Sequence, residues 1–254
     1  MQNTLTAGVL LIGNELLSGS IQDLNLAHIA IRLEERGIRV RETRIVPDVE
    51  AEIVDALNAM RTKFDYVFTT GGIGPTHDDI TSDSVATAFG VENVVQQDVY
   101  DSINKYLTSK GIEFTPAVQR MAHAPQGAEM IKTDTSIIPG YRIGNVYVMA
   151  GVPRIMRIML DDIISELKTG LAIISKKIHA NVSEGEIAAE LEQIQISHPD
   201  IDIGSYPQDK NSQISTYRVI FIVKGTDINE IDVACAEILR ACAAGNYEAI
   251  LATE

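Results

Sequence analysis

"FDYVFTTGGIGPTHDDIT", residues 64 to 81, sets an apolar aromatic run directly against a glycine-rich turn that ends in two aspartates. The run at 66–70 has the length and composition of a buried strand, and "SDSVATAFG" at 82–90 has helical spacing. A strand that passes through glycines into a helix is the βα turn of an open α/β sheet. In such sheets ligands sit at the carboxyl ends of the strands.

Upstream, the same alternation occurs twice. "TAGVLLIG" at 6–13 reads as a buried strand, and "NLAHIAIRLEERG" at 25–37 follows with helical spacing, closed by Gly37. "IRVRETRIV" at 38–46 alternates as a half-buried strand, and "DVEAEIVDALNAM" at 48–60 repeats apolar residues at helical intervals, with Asp48 placed to cap it. Three βα units in succession predict a parallel (mixed) sheet with helices on both faces. Downstream, "DVYDSINKYLTSKG" at 98–111 and "TPAVQRMAHAP" at 115–125 read as helical. "SIIPGYRIGNVYVMAGVP" at 136–153 reads as a hairpin of two strands, and "RIMRIMLDDIISEL" at 154–167 as a closing helix.

The pattern changes near Lys168–Gly170, which divides the chain into residues 1–168 and 169–254. "AIISKKIHAN" at 172–181 alternates as a strand, and "SEGEIAAELEQIQ" at 183–195 is a helix opened by Ser183 with Glu186 at capping-box spacing. "DIDIGSYP" at 200–207 and "ISTYRVIFIVKG" at 214–225 form a strand pair, and "INEIDVACAEILRACAAG" at 228–245 is an amphipathic helix. Together these make a small α+β module with two helices on one face of a sheet. Its two cysteines, Cys235 and Cys242, share that helix, where seven residues span roughly 10 Å, too far for a disulfide.

Net charge is −14. Residues 171–254 hold 6 Lys and Arg against 13 Asp and Glu, and the remainder 15 against 22, so each part carries −7. Neither is a basic module, which argues against nucleic acid or an anionic membrane as partner. The start, "MQNTLT", has neither a basic nor an apolar leader, and no apolar run reaches membrane-spanning length, so a cytoplasmic location is expected. An anionic ligand would have to be held by backbone dipoles, a few placed side chains or a metal.

Three turns at strand ends carry the chemistry: "GNELLSGSIQD" at 13–23, "PDVE" at 47–50 and "GGIGPTHDDIT" at 71–81. In the third, Gly71, Gly72 and Gly74 let the backbone approach a ligand, and their amides at a helix start form an anion nest. No Gly-Lys-Ser/Thr follows and GxGxxG spacing is absent, which excludes a P-loop and a dinucleotide fingerprint. Asp78 and Asp79 beside a phosphate would repel it unless a divalent cation such as Mg²⁺ bridges them or one serves as a base. His77 is a candidate ligand or acid, though a loop histidine is more often solvated. Thr81 is placed to cap the helix or touch phosphate, Glu15 to present a carboxylate, and Asp23 to start a helix. Gly151 turns the chain off a strand, and Pro153 opens a helix at its first turn. No GxSxG, HExxH or CxxC occurs, which argues against nucleophilic serine chemistry and structural zinc.

"GNELLSG" at 13–19, "PD" at 47–48, "TTGGIGPTHDDIT" at 69–81 and "AGVP" at 150–153 stand in the order of the MoaB/Mog family of molybdopterin-binding domains, which residues 5–167 resemble. Within it, the resemblance is to the N-terminal part of CinA, the competence/damage-inducible group, and the remainder resembles the KH-like module that follows there. The resemblance implies that the glycine turn, Thr70 with Gly71, Gly72 and Gly74, binds phosphate of a pterin or nucleotide, and that Asp79 is essential. It carries Asp48, Glu15 and Asp23 onto the family's acidic positions, and Gly151 and Pro153 onto the pocket rim.

The chain departs from transfer-type members in two places: Ile73 replaces a threonine, and Asp78 replaces an arginine. The sequence to Glu254 has no counterpart of CinA's amidohydrolase-like domain, and no GxxG clamp follows residue 170. The resemblance implies a homo-oligomer and a metal-dependent hydrolysis of a nucleotide diphosphate linkage, of ADP-ribose or FAD type, with Asp79, Asp78 and Glu15 as catalytic residues. The alternatives are molybdopterin binding or adenylyl transfer in cofactor biosynthesis, and non-catalytic binding.

Overall fold

β1, Leu5–Ile12, is the strand around which the first part of the chain is built. Its last six residues are all buried, as expected of a run that is apolar on both faces. The computed structural model describes residues 5–131, 140–208 and 217–252, and the chain divides into two compact units, 1–170 and 171–254.

In the first unit β1 leads through a one-turn helix α1 (Asn14–Leu17) to α2 (Asn25–Glu34), β2 (Ile38–Val46), α3 (Glu50–Arg61) and β3 (Tyr66–Thr70). Then follow α4 (Thr81–Phe89), β4 (Asn93–Val95), α5 (Gln97–Ser109), α6 (Pro116–Gln119) and β5 (His123–Pro125). β6 (Glu129–Met130), β7 (Tyr141–Ile143), β8 (Val146–Met149) and α7 (Pro153–Glu166) close the unit. The main sheet has the order β2-β1-β3-β8-β7-β6, parallel from β2 to β8 and antiparallel at β7 and β6.

The chain moves one way across the sheet from β1 to β2 and the other way from β2 to β3. Right-handed crossovers in opposite directions put their helices on opposite faces. Accordingly α2 packs with α7, and α3 with α4. Ile29 and Leu33 of α2, Ile53, Leu57 and Met60 of α3, and Met156, Met159 and Leu160 of α7 are buried against the strands.

The second unit runs β9 (Ile174–Ala180), α8 (Glu184–Ser197), β10 (Asp202–Pro207), β11 (Val219–Gly225), α9 (Ile228–Ala244) and β12 (Ala249–Leu251). Its sheet order is β10-β11-β9-β12, antiparallel throughout. Alternate residues of β11, Val219, Phe221 and Val223, are buried beneath the helices with Ile187, Ile231 and Ile238. Cys235 and Cys242 are free and buried in α9.

Several local expectations are corrected. Only residues 116–119 of the 115–125 segment are α-helical; a 3₁₀ turn follows, and His123–Pro125 pairs as a strand with β4. Burial of Ala122 and Ala124 outweighs helix propensity there. Asp48 does not cap α3, whose N-cap is Val49, and Thr81 is already the first residue of α4, so it does not cap that helix. The hairpin at 141–149 forms, and its upstream residues 136–139 and the start of the 214–225 strand lie outside the described residues. The edge strand β12 was not anticipated. Among the described residues no helix is long and apolar enough to cross a membrane.

Candidate functional site

The carboxyl ends of β1, β2, β3 and β8 open onto one cleft of about 530 Å³. Its walls bring together residues from four sequence segments: Glu15 and Asp23, Asp48, Thr70 through Asp79 apart from His77, and Ala150 through Pro153.

The glycine turn is the floor. Gly71 and Gly72 have φ of 104° and 69°, and a methyl group on Gly71 would sit 2.2 Å from the Ile12 carbonyl oxygen. Thr81 locks the turn from behind: its amide donates to the Gly72 carbonyl and its hydroxyl to the Gly71 carbonyl, both at 2.9 Å. Thr81 is fully buried and does not line the cleft, so its part is to hold the turn. The Gly71 amide donates to the Met149 carbonyl at 3.2 Å and is therefore spent on β8. Among the three glycines, Gly72 and Gly74 are left to offer N–H groups.

Asp79 is held inside its own loop. Its Oδ2 accepts from the Thr76 amide at 2.7 Å and from the Thr76 hydroxyl at 2.5 Å, and Oδ1 has no partner among the described residues. The Thr76 side chain nearby and the backbone amide of Asp78 hold the Asp78 carboxyl below the usual carboxylate range. His77 points into solvent, with 96% of its side chain exposed, and lines no cleft wall.

Asp48 Oδ2 accepts from the Asn14 amide at 2.9 Å and joins the first turn to the second. Asp23 accepts from the amides of Asn25 (3.2 Å) and Leu26 (2.9 Å), which starts α2 as expected. Asn25, buried and not singled out by the sequence, donates from Nδ2 to the Gly151 carbonyl at 2.8 Å. That bond pins the "AGVP" turn, where Pro153 takes the first position of α7. A pairing between residues 126 apart leaves no sequence signal.

Five carboxylates, Glu15, Asp23, Asp48, Asp78 and Asp79, line the cleft, and among the described lining residues there is no Lys, Arg or His. A phosphate entering here meets a uniformly negative wall apart from the turn's amides. The rim is apolar, formed by Leu16, Ile21, Leu24, Val152 and Pro75.

Residues 8–169 match the family described as "Probable molybdopterin binding domain", and residues 172–249 match "FAD synthase, middle domain". A protein of Archaeoglobus fulgidus is 33% identical over 200 residues, 79% of this chain and 85% of that one. A CinA-like protein of Desulfosudis oleivorans is 37% identical over 161 residues, 62% of this chain but 39% of its own length. The crystal structure of the protein CinA, of unknown function, from Thermoplasma acidophilum aligns with a TM-score of 0.59 at 30% identity. It covers 63% of this chain and 96% of that one. With a glycine turn at the end of β3, acidic residues at the ends of β1 and β2, and a family match across residues 8–169, this chain belongs to the MoaB/Mog-type molybdopterin-binding domain family and has CinA-like relatives.

Proposed function

We propose that the first unit is a hydrolase for a nucleotide diphosphate linkage of the ADP-ribose or FAD type, acting with a divalent metal. The observation that carries this reading is the joining of a glycine turn to five carboxylates in one cleft whose described lining includes no Lys, Arg or His. Among the described residues no three His, Cys, Asp or Glu side chains form a ready metal cage. The donor set fits Mg²⁺ or a similar hard ion shared between one or two carboxylates and ligand phosphate oxygens, with Asp79 and Asp78 as the protein ligands. When bound, the ion supplies charge neutralisation at the phosphates and acidifies a water.

This chain's own groups do the rest. The amides of Gly72 and Gly74 donate to the phosphate oxygens and stabilise the charge that builds there. Asp79 Oδ1, without a partner among the described residues, would either hold the ion or orient the attacking water and take its proton, with Glu15 and Asp48 setting the charge around it. Attack of that water on phosphorus breaks the bridging P–O bond and releases AMP and a second phosphate ester. The apolar rim suits a planar base, and the Gly151–Pro153 turn closes that side. The similarity of residues 172–249 to an FAD synthase middle domain favours a dinucleotide over a simple phosphate ester. A homo-oligomer is the expected assembly.

The test is incubation of the purified protein with ADP-ribose or FAD, with and without Mg²⁺, Mn²⁺ or Co²⁺, followed by chromatography for AMP. Metal-dependent AMP release that is lost in Asp79→Asn is the expected result. The second reading, binding or adenylyl transfer of molybdopterin, is favoured by the family description of residues 8–169. It predicts tight pterin binding by calorimetry and no AMP from either dinucleotide.

A further inference from the structure

The glycine turn has two sides. Gly72, Ile73, Gly74 and Asp79 line the acidic cleft and also a second cavity of about 300 Å³ behind it, so the two spaces meet across the turn. The second is chemically unlike the first: Arg120, His123 and Ser82 face it. Arg120 is the single Lys or Arg among the described residues lining either space.

Arg120 is fixed over the turn. Its Nη2 donates to the carbonyls of Pro75 (3.2 Å) and Thr76 (3.1 Å), and Thr76 is the residue that holds Asp79. Nε and Nη1 make no hydrogen bond among the described residues, so each keeps an N–H for an incoming oxygen. His123 Nδ1 lies 3.2 Å from the Arg120 carbonyl, which fixes the ring against the cavity wall. Ser82 accepts from the Tyr141 hydroxyl at 3.2 Å, so its own O–H is available as a donor. Burial pushes the Tyr141 phenol well above its ordinary pKa and keeps it a donor. Two acids line this side as well: Asp79, shared with the cleft and bonded through Oδ2 to Thr76, and Asp83, whose Oδ1 accepts from the Asn93 amide at 2.7 Å.

We infer that this rear cavity is an anion subsite, in which Arg120 takes a phosphate of the ligand while the acidic cleft holds the metal-bridged side and the base. A pyrophosphate laid over the Gly72–Gly74 turn then has carboxylates and metal on one flank and a guanidinium on the other. The inference rests on the reading that a phosphate-linked ligand occupies the cleft, and it applies equally to a nucleotide diphosphate and a phosphorylated pterin. Arg suits the role because its charge is permanent and its fork of donors lets Nη2 hold the turn while Nε and Nη1 stay available to a phosphate oxygen.

The experiment is calorimetric titration of the full chain with inorganic pyrophosphate in Mg²⁺, comparing wild type, Arg120→Gln and Arg120→Lys. Gln keeps an N–H donor for the turn carbonyls and removes the charge. The expected result is an affinity loss of about tenfold or more in Arg120→Gln at an unchanged melting temperature, with partial rescue in Arg120→Lys. The wild-type affinity should also fall more steeply with salt than that of Arg120→Gln. Unchanged affinity in Arg120→Gln, or a wild type that does not bind pyrophosphate, overturns the subsite. Should Arg120→Gln also lower the melting temperature, Ser82→Ala decides: weaker pyrophosphate binding supports the subsite and unchanged binding overturns it. AMP release is a separate readout, because its absence with pyrophosphate binding intact removes the hydrolase reading and leaves the subsite standing.

Discussion

A methyl group on Gly72 would sit 2.1 Å from the Thr81 hydroxyl oxygen, at a backbone φ of 69°. Both the contact and the left-handed backbone oppose any side chain there. Gly72→Ala should therefore destabilise the protein by about 2 kcal/mol or more in urea unfolding and abolish pyrophosphate binding. Gly19, also at positive φ but with open space around its Cβ position, is the control: Gly19→Ala meets only the backbone cost and leaves binding intact. The sequence made the glycines and the paired aspartates stand out, because their types are unusual beside a strand. It did not separate their duties. Thr81 faces the turn from behind, and the Gly71 amide is spent on β8, because both depend on which strand lies next door. Arg120 reaches its turn partners from 44 and 45 positions away, a distance that no local spacing encodes.

Helix α8 begins with a box whose pieces are all local, and this is why it was legible. Glu186 Oε2 accepts from the Ser183 amide at 2.9 Å and the Ser183 hydroxyl at 2.6 Å. Loss of the hydroxyl in Ser183→Ala should cost about 1 kcal/mol, measured by thermal unfolding. The same hydroxyl, with the Ser183 amide next, holds the Glu186 carboxyl below its ordinary value. A carboxyl depressed in the folded chain stabilises above its unfolded pKa and loses that contribution as pH falls through the folded value. The melting temperature should thus decline between roughly pH 5 and 3, less steeply in Glu186→Gln. Strands β1, β3 and β8 of the main sheet were equally legible, since a run buried on both faces is apolar throughout, whereas the two-residue β6 was not anticipated. What failed were segments whose state is set by a remote partner, such as His123–Pro125, drawn into β-pairing by β4, and the edge strand β12.

At the scale of the whole chain, each unit has its own buried cluster, and the second contains both cysteines. Burial pushes the Cys235 thiol up to about 11 and raises Cys242 as well, so little thiolate exists at neutral pH. Iodoacetamide at pH 8 should modify the native chain at least about tenfold more slowly than the urea-unfolded chain, with both sites read by mass spectrometry. Equal rates would mean that α9 opens freely. The order of strands in the main sheet has a consequence in time. The cleft needs β8, which docks beside β3 only after residue 146 has been made, whereas β1, β2 and β3 precede residue 71. On the ribosome the glycine turn emerges long before the wall that completes it, and the Gly71 amide waits for Met149. A ligand cannot guide those early steps; it can only act on a finished unit, slowing its opening. Its abundance in the cell would therefore govern how long this protein lasts once made, and have little influence on how fast it first folds.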